Sequence, residues 1–183
     1  MSKTILESER IRFRLIDQND LKQVHNLHAL PDSGKYNTIG IPENINETKV
    51  LVEPWIAENQ LAKIQRYTFA LELKSDNTFI GLFGFNLGKV NYQRAEVWYK
   101  IIPSFWNQGY ATESLKAIIK FGFEELLLHR IEAGCAVENI GSIKVLEKAG
   151  MLKEGRGRQV LPLPSGWSDN FEYAILSSDK RDY

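Results

Sequence analysis

The stretch Ile101-Ile102-Pro103-Ser104-Phe105-Trp106-Asn107-Gln108-Gly109-Tyr110-Ala111-Thr112-Glu113 passes from a strand end, through a glycine turn, into the start of a helix. The first backbone N–H groups of a helix have no intrahelical partner and point outward. Together with the positive end of the helix dipole they make a ready site for an anion. Gly109 lets a phosphate approach the backbone without a Cβ in the way, small Ala111 keeps the next turn open, and Thr112 adds a hydroxyl donor. The stretch contains neither a Walker lysine nor a Rossmann GxGxxG. By itself it reads either as a phosphate cradle or as an ordinary helix start.

Working outward separates the two readings. Upstream, residues 11–16 alternate apolar and basic side chains for most of their length, as a half-exposed strand does. Asp17-Gln18-Asn19-Asp20 caps a helix running to about Leu30, and Pro31-Asp32-Ser33-Gly34 is expected to break it. A second helix is predicted over 46–64, carrying Leu51, Trp55 and Ala62 inward, with a kink or late start at Pro54. Strands at 67–73, 79–87 and 94–102 form an antiparallel meander, the first two joined by a turn at Lys74-Ser75-Asp76-Asn77. Downstream, a helical face over 109–126 leads to a strand at 130–137. A short helix follows at 140–149, with Asn139 as cap and Gly150 as stop. Strands at 152–161 and 171–176 close the chain. The order is β-α-α-β-β-β-α-β-α-β-β, which predicts a mixed α/β fold with helices on both faces of a central sheet.

Composition limits what such a domain does. The 183 residues suit one domain, 1–183, with 23 Lys and Arg balancing 23 Asp and Glu. That balance gives no reason to propose a nucleic-acid partner, which usually demands a basic excess. No apolar run approaches the roughly 18 residues that span a bilayer, and the N-terminus turns acidic too early for a secretory signal. The single cysteine, Cys135, excludes an intramolecular disulfide and a multi-cysteine metal site. The expectation is a soluble cytoplasmic protein with no metal and no membrane partner.

A second constellation lies about thirty residues beyond the first. Asn139-Ile140-Gly141-Ser142-Ile143-Lys144-Val145-Leu146-Glu147-Lys148-Ala149-Gly150-Met151 reads locally as a capped helix. It also resembles the NxxSxxVLEKxGF signature of the GNAT superfamily, with Met151 in place of the usual Phe. Residues 94–113 are similar to that superfamily's cofactor-binding signature. More narrowly, Trp106-Asn107-Gln108-Gly109-Tyr110-Ala111-Thr112-Glu113 resembles the RimJ/RimL-type branch, which acetylates N-terminal amines of ribosomal proteins. Where the wider superfamily often has Gln or Arg, this chain has the tryptophan usual in that branch. The likeness covers roughly residues 10–178.

The resemblance implies a GNAT fold: a mostly antiparallel sheet in which strands 94–102 and 130–138 run parallel and splay apart. It implies acetyl-CoA as co-substrate, the pantetheine arm entering the gap like an added strand. Backbone groups near Ile101 and Ile102 would pair with the arm, and Asn139 would hydrogen-bond it. Gln108, Gly109, Tyr110, Ala111 and Thr112 would hold the pyrophosphate. A homodimer is an expectation of the family alone, carried by no feature of the sequence.

Acetyl transfer to an amine needs a neutral nucleophile, oxyanion stabilisation and a proton for the departing thiolate. An α-amine has a pKa of about 7.7–8.0 against about 10.4 for lysine, so an N-terminal amine needs less help from a base. Glu96 and Glu154 are the candidate bases. Glu96 shares strand parity with Trp98, Lys100 and Ile102, and Glu154 matches a glutamate typical of the branch. Many GNAT enzymes carry a proton-donating tyrosine where this chain has Leu146. Ser142, one turn earlier, either protonates the sulfur or positions a water, as the branch pattern implies, or only caps its helix. The preferred acceptor is a protein or peptide N-terminal amine. The alternatives are a small amine of polyamine or aminoglycoside type, and a catalytically silent acyl-CoA-binding module.

Four other features read as structural. Cys135 behaves as a small apolar residue. His25 and His28 have no third ligand for a metal. Tyr36, Trp55 and Tyr92 read as core aromatics rather than an acceptor pocket. Gly166-Trp167-Ser168-Asp169 reads as a loop, although it resembles a family hairpin whose aspartate contacts substrate.

Overall fold

A computed structural model describes residues 3–181. In chain order it has β1 (Thr4–Glu7), β2 (Ile11–Leu15), α1 (Leu21–His28), α2 (Pro31–Gly34), α3 (Ile45–Asn59), β3 (Arg66–Leu73), β4 (Phe79–Leu87) and β5 (Arg94–Ile101). Then come α4 (Tyr110–Glu124), β6 (Arg130–Ala136), α5 (Ile140–Lys148), β7 (Leu152–Leu163) and β8 (Gly166–Leu176). The eight strands form one sheet in the order β1-β2-β3-β4-β5-β6-β8-β7. Among the described residues only the β5–β6 pair is parallel; the other neighbours are antiparallel.

Strand alternation sends successive side chains to opposite faces, and each face is covered by its own helices. Ala95, Val97 and Ile101 of β5 enter a large core with Leu115, Ile118 and Ile119 of α4 and Leu146 of α5. Trp98 and Ile102 face a smaller core with Val24 and Leu27 of α1 and Val52 and Ile56 of α3. Each fully buried aliphatic or aromatic side chain contributes about 1.5–3 kcal/mol. Two layers of helices therefore clamp β5, the strand that leads to the glycine turn.

The structure departs from the sequence expectations in four places. β1, short and half-exposed, adds an edge strand that no long alternating pattern announces. Pro31 ends one helix and opens another, occupying the first turn of α2, where its fixed φ is already helical. α3 starts at Ile45, well before Pro54, so Pro54 sits within the helix. It is tolerated on the exposed face, where water can solvate the carbonyl it leaves unpaired. The inward residues of α3 are Thr48, Val52, Ile56 and Asn59 rather than Leu51 and Ala62, a shift of one position that sets how the helix lies on the sheet. Finally, β7 and β8 run past their expected ends into a tight turn closed by Gly166 at φ +111°.

No helix among the described residues is long and apolar enough to cross a membrane.

Candidate active site

The parallel pairing of β5 with β6 stops early. Rungs run from Arg94 opposite Arg130 to Val97 opposite Ala133, and no further. Beyond that point β6 stays with β8, through Cys135 opposite Phe171 and Ala136 opposite Asn170. β5 meanwhile continues on β4 to Gly81 opposite Ile101. A wedge opens between the two strands, and the second half of β5 presents an edge with no strand beside it.

The hydrogen-bond phase of β5 decides which groups face that wedge. Ile102 N–H donates to the Ile80 carbonyl at 2.9 Å, and the Ile102 carbonyl accepts from Phe105 N–H. Alternation then turns the N–H and carbonyl of Ile101 away from β4, toward the opening. The indole N–H of Trp106 donates to the Ile101 carbonyl at 2.7 Å, which leaves the Ile101 N–H as the group facing the gap. Of the two expected backbone partners, Ile101 is exposed to the wedge and Ile102 is committed elsewhere.

The glycine turn follows. Asn107 lies at φ +58° and Gly109 at φ +85°, both left-handed. At Gly109 a side chain would be strained by the backbone alone, and its Cβ would come within 3.3 Å of the Arg10 guanidinium. Gly109 is also the N-cap of α4 and supplies no capping side chain, so the first amides of Tyr110, Ala111 and Thr112 are uncapped. Gln108 braces the loop by donating from Nε2 to the Ser104 carbonyl at 2.8 Å.

Arg10, which the sequence reading did not single out, holds this turn from 98 residues away. Its Nη1 donates to the Gln108 carbonyl, its Nε donates to Glu113 at 2.7 Å, and its guanidinium lies 4.3 Å from the Tyr110 ring centre. It braces the turn beside the uncapped amides, its charge balanced by the Glu113 carboxylate.

On the other wall of the wedge, Asn139 caps α5 by accepting from Ser142 N–H at 3.1 Å. Ser142 Oγ in turn meets the Tyr99 hydroxyl at 2.7 Å. Tyr99 is a second residue that sequence reasoning missed, because its partner is 43 residues away. Burial pushes the Tyr99 phenol far above its ordinary range, so it keeps its proton and orients Ser142. Burial also pushes the neighbouring Cys135 thiol up to about 11, so that it stays a neutral, weakly polar lining.

The two acids sit apart from this cluster. Glu154 on β7 makes a bidentate ion pair with Arg130, which is also bonded to Glu132 at 2.7 Å. Hydrogen bonds from Arg130 hold the Glu154 carboxyl below the usual carboxylate range. Arg130 begins β6, at the paired end of the two strands, away from the splay. Glu96 is exposed opposite Glu132, one rung before the last pair, on the strand face it shares with Trp98 and Lys100. Asp169 accepts from Arg156 and from the Gln159 N–H, and so serves the β7–β8 hairpin.

A splayed parallel pair, an uncapped glycine turn and a capped serine helix thus follow one another along the chain. A family model described as acetyltransferase (GNAT) domain matches residues 10–152. This chain belongs to the GNAT acetyltransferase family. The uncharacterized N-acetyltransferase YnaD of Bacillus subtilis is 30% identical, over 95% of this chain and 98% of its own length. The ribosomal-protein-serine acetyltransferase of Escherichia coli is 22% identical, over 96% of this chain and 98% of its own. Among solved structures, a GNAT-family acetyltransferase from Bacillus anthracis superposes with a TM-score of 0.84 at 30% identity, covering 95% of this chain and 99% of that one. Spermidine N-acetyltransferase from Vibrio cholerae, in complex with CoA and spermine, shares the fold with a TM-score of 0.79 at 24% identity, covering 92% and 96%. The GNAT assignment makes the chain an acetyltransferase with acetyl-CoA as co-substrate.

Proposed function

We propose that this GNAT enzyme acetylates a primary amine by direct attack on acetyl-CoA in a ternary complex, and that its preferred acceptor is the N-terminal amine of a protein or peptide. The unpaired edge of β5 beyond Val97 carries the reading, with Ile101 N–H on one side of the wedge and Ser142 on the other. An extended pantetheine arm adds to such an edge as a strand would. Its pyrophosphate then rests on the uncapped amides of Tyr110, Ala111 and Thr112, beside Gly109 and Gln108.

In this arrangement the neutral amine attacks the thioester carbonyl. The developing oxyanion accepts a hydrogen bond from Ile101 N–H. As the intermediate collapses, Ser142 donates a hydrogen bond to the leaving thiolate, and Tyr99 fixes the direction of that hydroxyl. Net, the proton the amine loses is the proton the sulfur gains. Of the two candidate bases we favour Glu96, because the bidentate ion pair with Arg130 makes Glu154 a weaker proton acceptor.

A polyamine acceptor is the second reading, favoured by the shared fold of the spermidine enzyme. The experiment that separates them follows CoA release with a panel of peptides and of polyamines. Transfer to peptides with little transfer to spermidine is expected. Acetylation confined to polyamines would remove the peptide acceptor. Saturable acetyl-CoA binding without transfer to any amine would leave a silent acyl-CoA module.

A further inference from the structure

The face of β5 opposite the large core holds buried polar groups that the proposed chemistry does not use. Lys100 lies in the unpaired half of the strand, and its Nζ is shut off from solvent without a hydrogen-bond partner. His28, at the end of α1, is 1% exposed, and neither ring nitrogen has a partner. Trp55 of α3 joins the group, with ring centres 6.2 Å from His28 and 5.4 Å from Trp98 of β5. Trp98 in turn lies flat on Gly84, where any Cβ would collide with its indole at 1.9 Å.

An ammonium removed from water and left without a counter-charge is costly, as is a neutral imidazole with both nitrogens unpaired. Burial draws the Lys100 ammonium down to about 8, with no carboxylate to raise it again. His28 falls to about 4, through burial first and the neighbouring Lys100 charge second, so its ring is neutral near pH 7. The pair thus offers ammonium N–H donors and one imidazole N–H donor, beside an apolar wall of two tryptophans. What it lacks is an anion.

We propose that Lys100 and His28 form a subsite for a carboxylate on the acceptor, so that the enzyme selects amines with an acidic group close by and disfavours polycations. This rests on the amine-acetyltransferase reading above and adds the acceptor's chemical class. The acceptor amine enters the wedge from the α1/α3 face, and its carboxylate replaces the missing partner of Lys100. A polyamine brings a second positive charge to the same place and is repelled.

The test uses tetrapeptides that differ only by glutamate, glutamine or lysine at the second position, with full steady-state kinetics on the whole chain. Free amino acids and their α-amides form a second arm, which tells a side-chain carboxylate from an α-carboxylate. A KM at least tenfold lower for the glutamate peptide than for its glutamine twin, or for an amino acid than for its amide, is the expected result, with lysine worst. Lys100→Met should bring that ratio to about one, and Lys100→Arg should retain part of it. Equal KM values across both arms in the unmodified enzyme, or a preference that survives Lys100→Met, would overturn the subsite while leaving the transferase standing. Absence of transfer to every peptide and amino acid would remove the acceptor reading itself.

Discussion

The two faces of β5 solve opposite problems. Toward α4 and α5, Val97, Tyr99 and Ile101 meet a closed core, and the polar groups of the proposed cofactor site are paired: Tyr99 with Ser142, Asn139 with the Ser142 amide, Arg10 with Glu113. Toward α1 and α3 the core is smaller, and the Lys100 ammonium nitrogen and both His28 ring nitrogens are buried without partners. A cofactor common to a whole family is met by backbone and caps that any member can build. An acceptor particular to one enzyme is met by side chains whose partners arrive only with it. The difference implies that damage to the first face abolishes cofactor binding, while changes to the second alter selectivity and stability.

The largest effect should come from Gly109→Val. A β-branched residue at φ +85° is strained, and its side chain occupies the phosphate approach. Acetyl-CoA affinity, measured by calorimetry, should fall about a hundredfold. Undiminished affinity would mean that the anion cradle lies elsewhere.

His28→Leu addresses the other face. The folded-state pKa of His28 is about 4 against an ordinary 6.5, so the unfolded chain binds the extra proton between those values and stability falls as pH drops through that window. Wild type should therefore lose about 2 kcal/mol at pH 5 from this residue alone. The leucine variant should not show that loss. Urea denaturation at pH 7 and pH 5 measures it, and identical pH dependence in both proteins would show that the imidazole is not desolvated.

How much of this was legible in the sequence follows the same division. Gly109 and Asn139 act through local backbone geometry, a left-handed turn and a cap within three residues, so their residue types announce them. The order of strands and helices was equally local, and it held apart from β1, α2 and the ends of α3. Arg10 with Glu113, Tyr99 with Ser142, and Lys100 with His28 are brought together by the sheet across tens of residues. Strand parity placed Lys100 on a face with Glu96 and Trp98, but not under α1. The branch resemblance singled out Glu154 and offered no sign that Arg130 would claim it.

Tyr99→Phe and Ser142→Ala test whether the paired face works as a unit. Each should lower kcat about tenfold, because the thiolate then lacks an oriented hydroxyl. The double variant should lose little more than either single one, since both remove the same 2.7 Å contact. Fully multiplicative losses would show that the two hydroxyls act independently.

The smallest effect is expected at Glu154. Its side chain is 45% exposed, and an exposed ion pair contributes roughly 0–1 kcal/mol even with good geometry. Glu154→Gln should therefore shift stability by less than about 1 kcal/mol. With Arg130 holding its carboxyl low, kcat should fall less than about threefold. Glu96→Gln in the same assay should cost tenfold or more on the neutral plateau and remove the fall in rate on the acidic limb, because a protonated carboxyl gives wild type no help there. A large kcat loss at Glu154 with Glu96 silent would invert the roles: the bond to Arg130 would have to break when the acceptor binds, freeing Glu154 as the base and making the paired end of β5 and β6 part of the acceptor site.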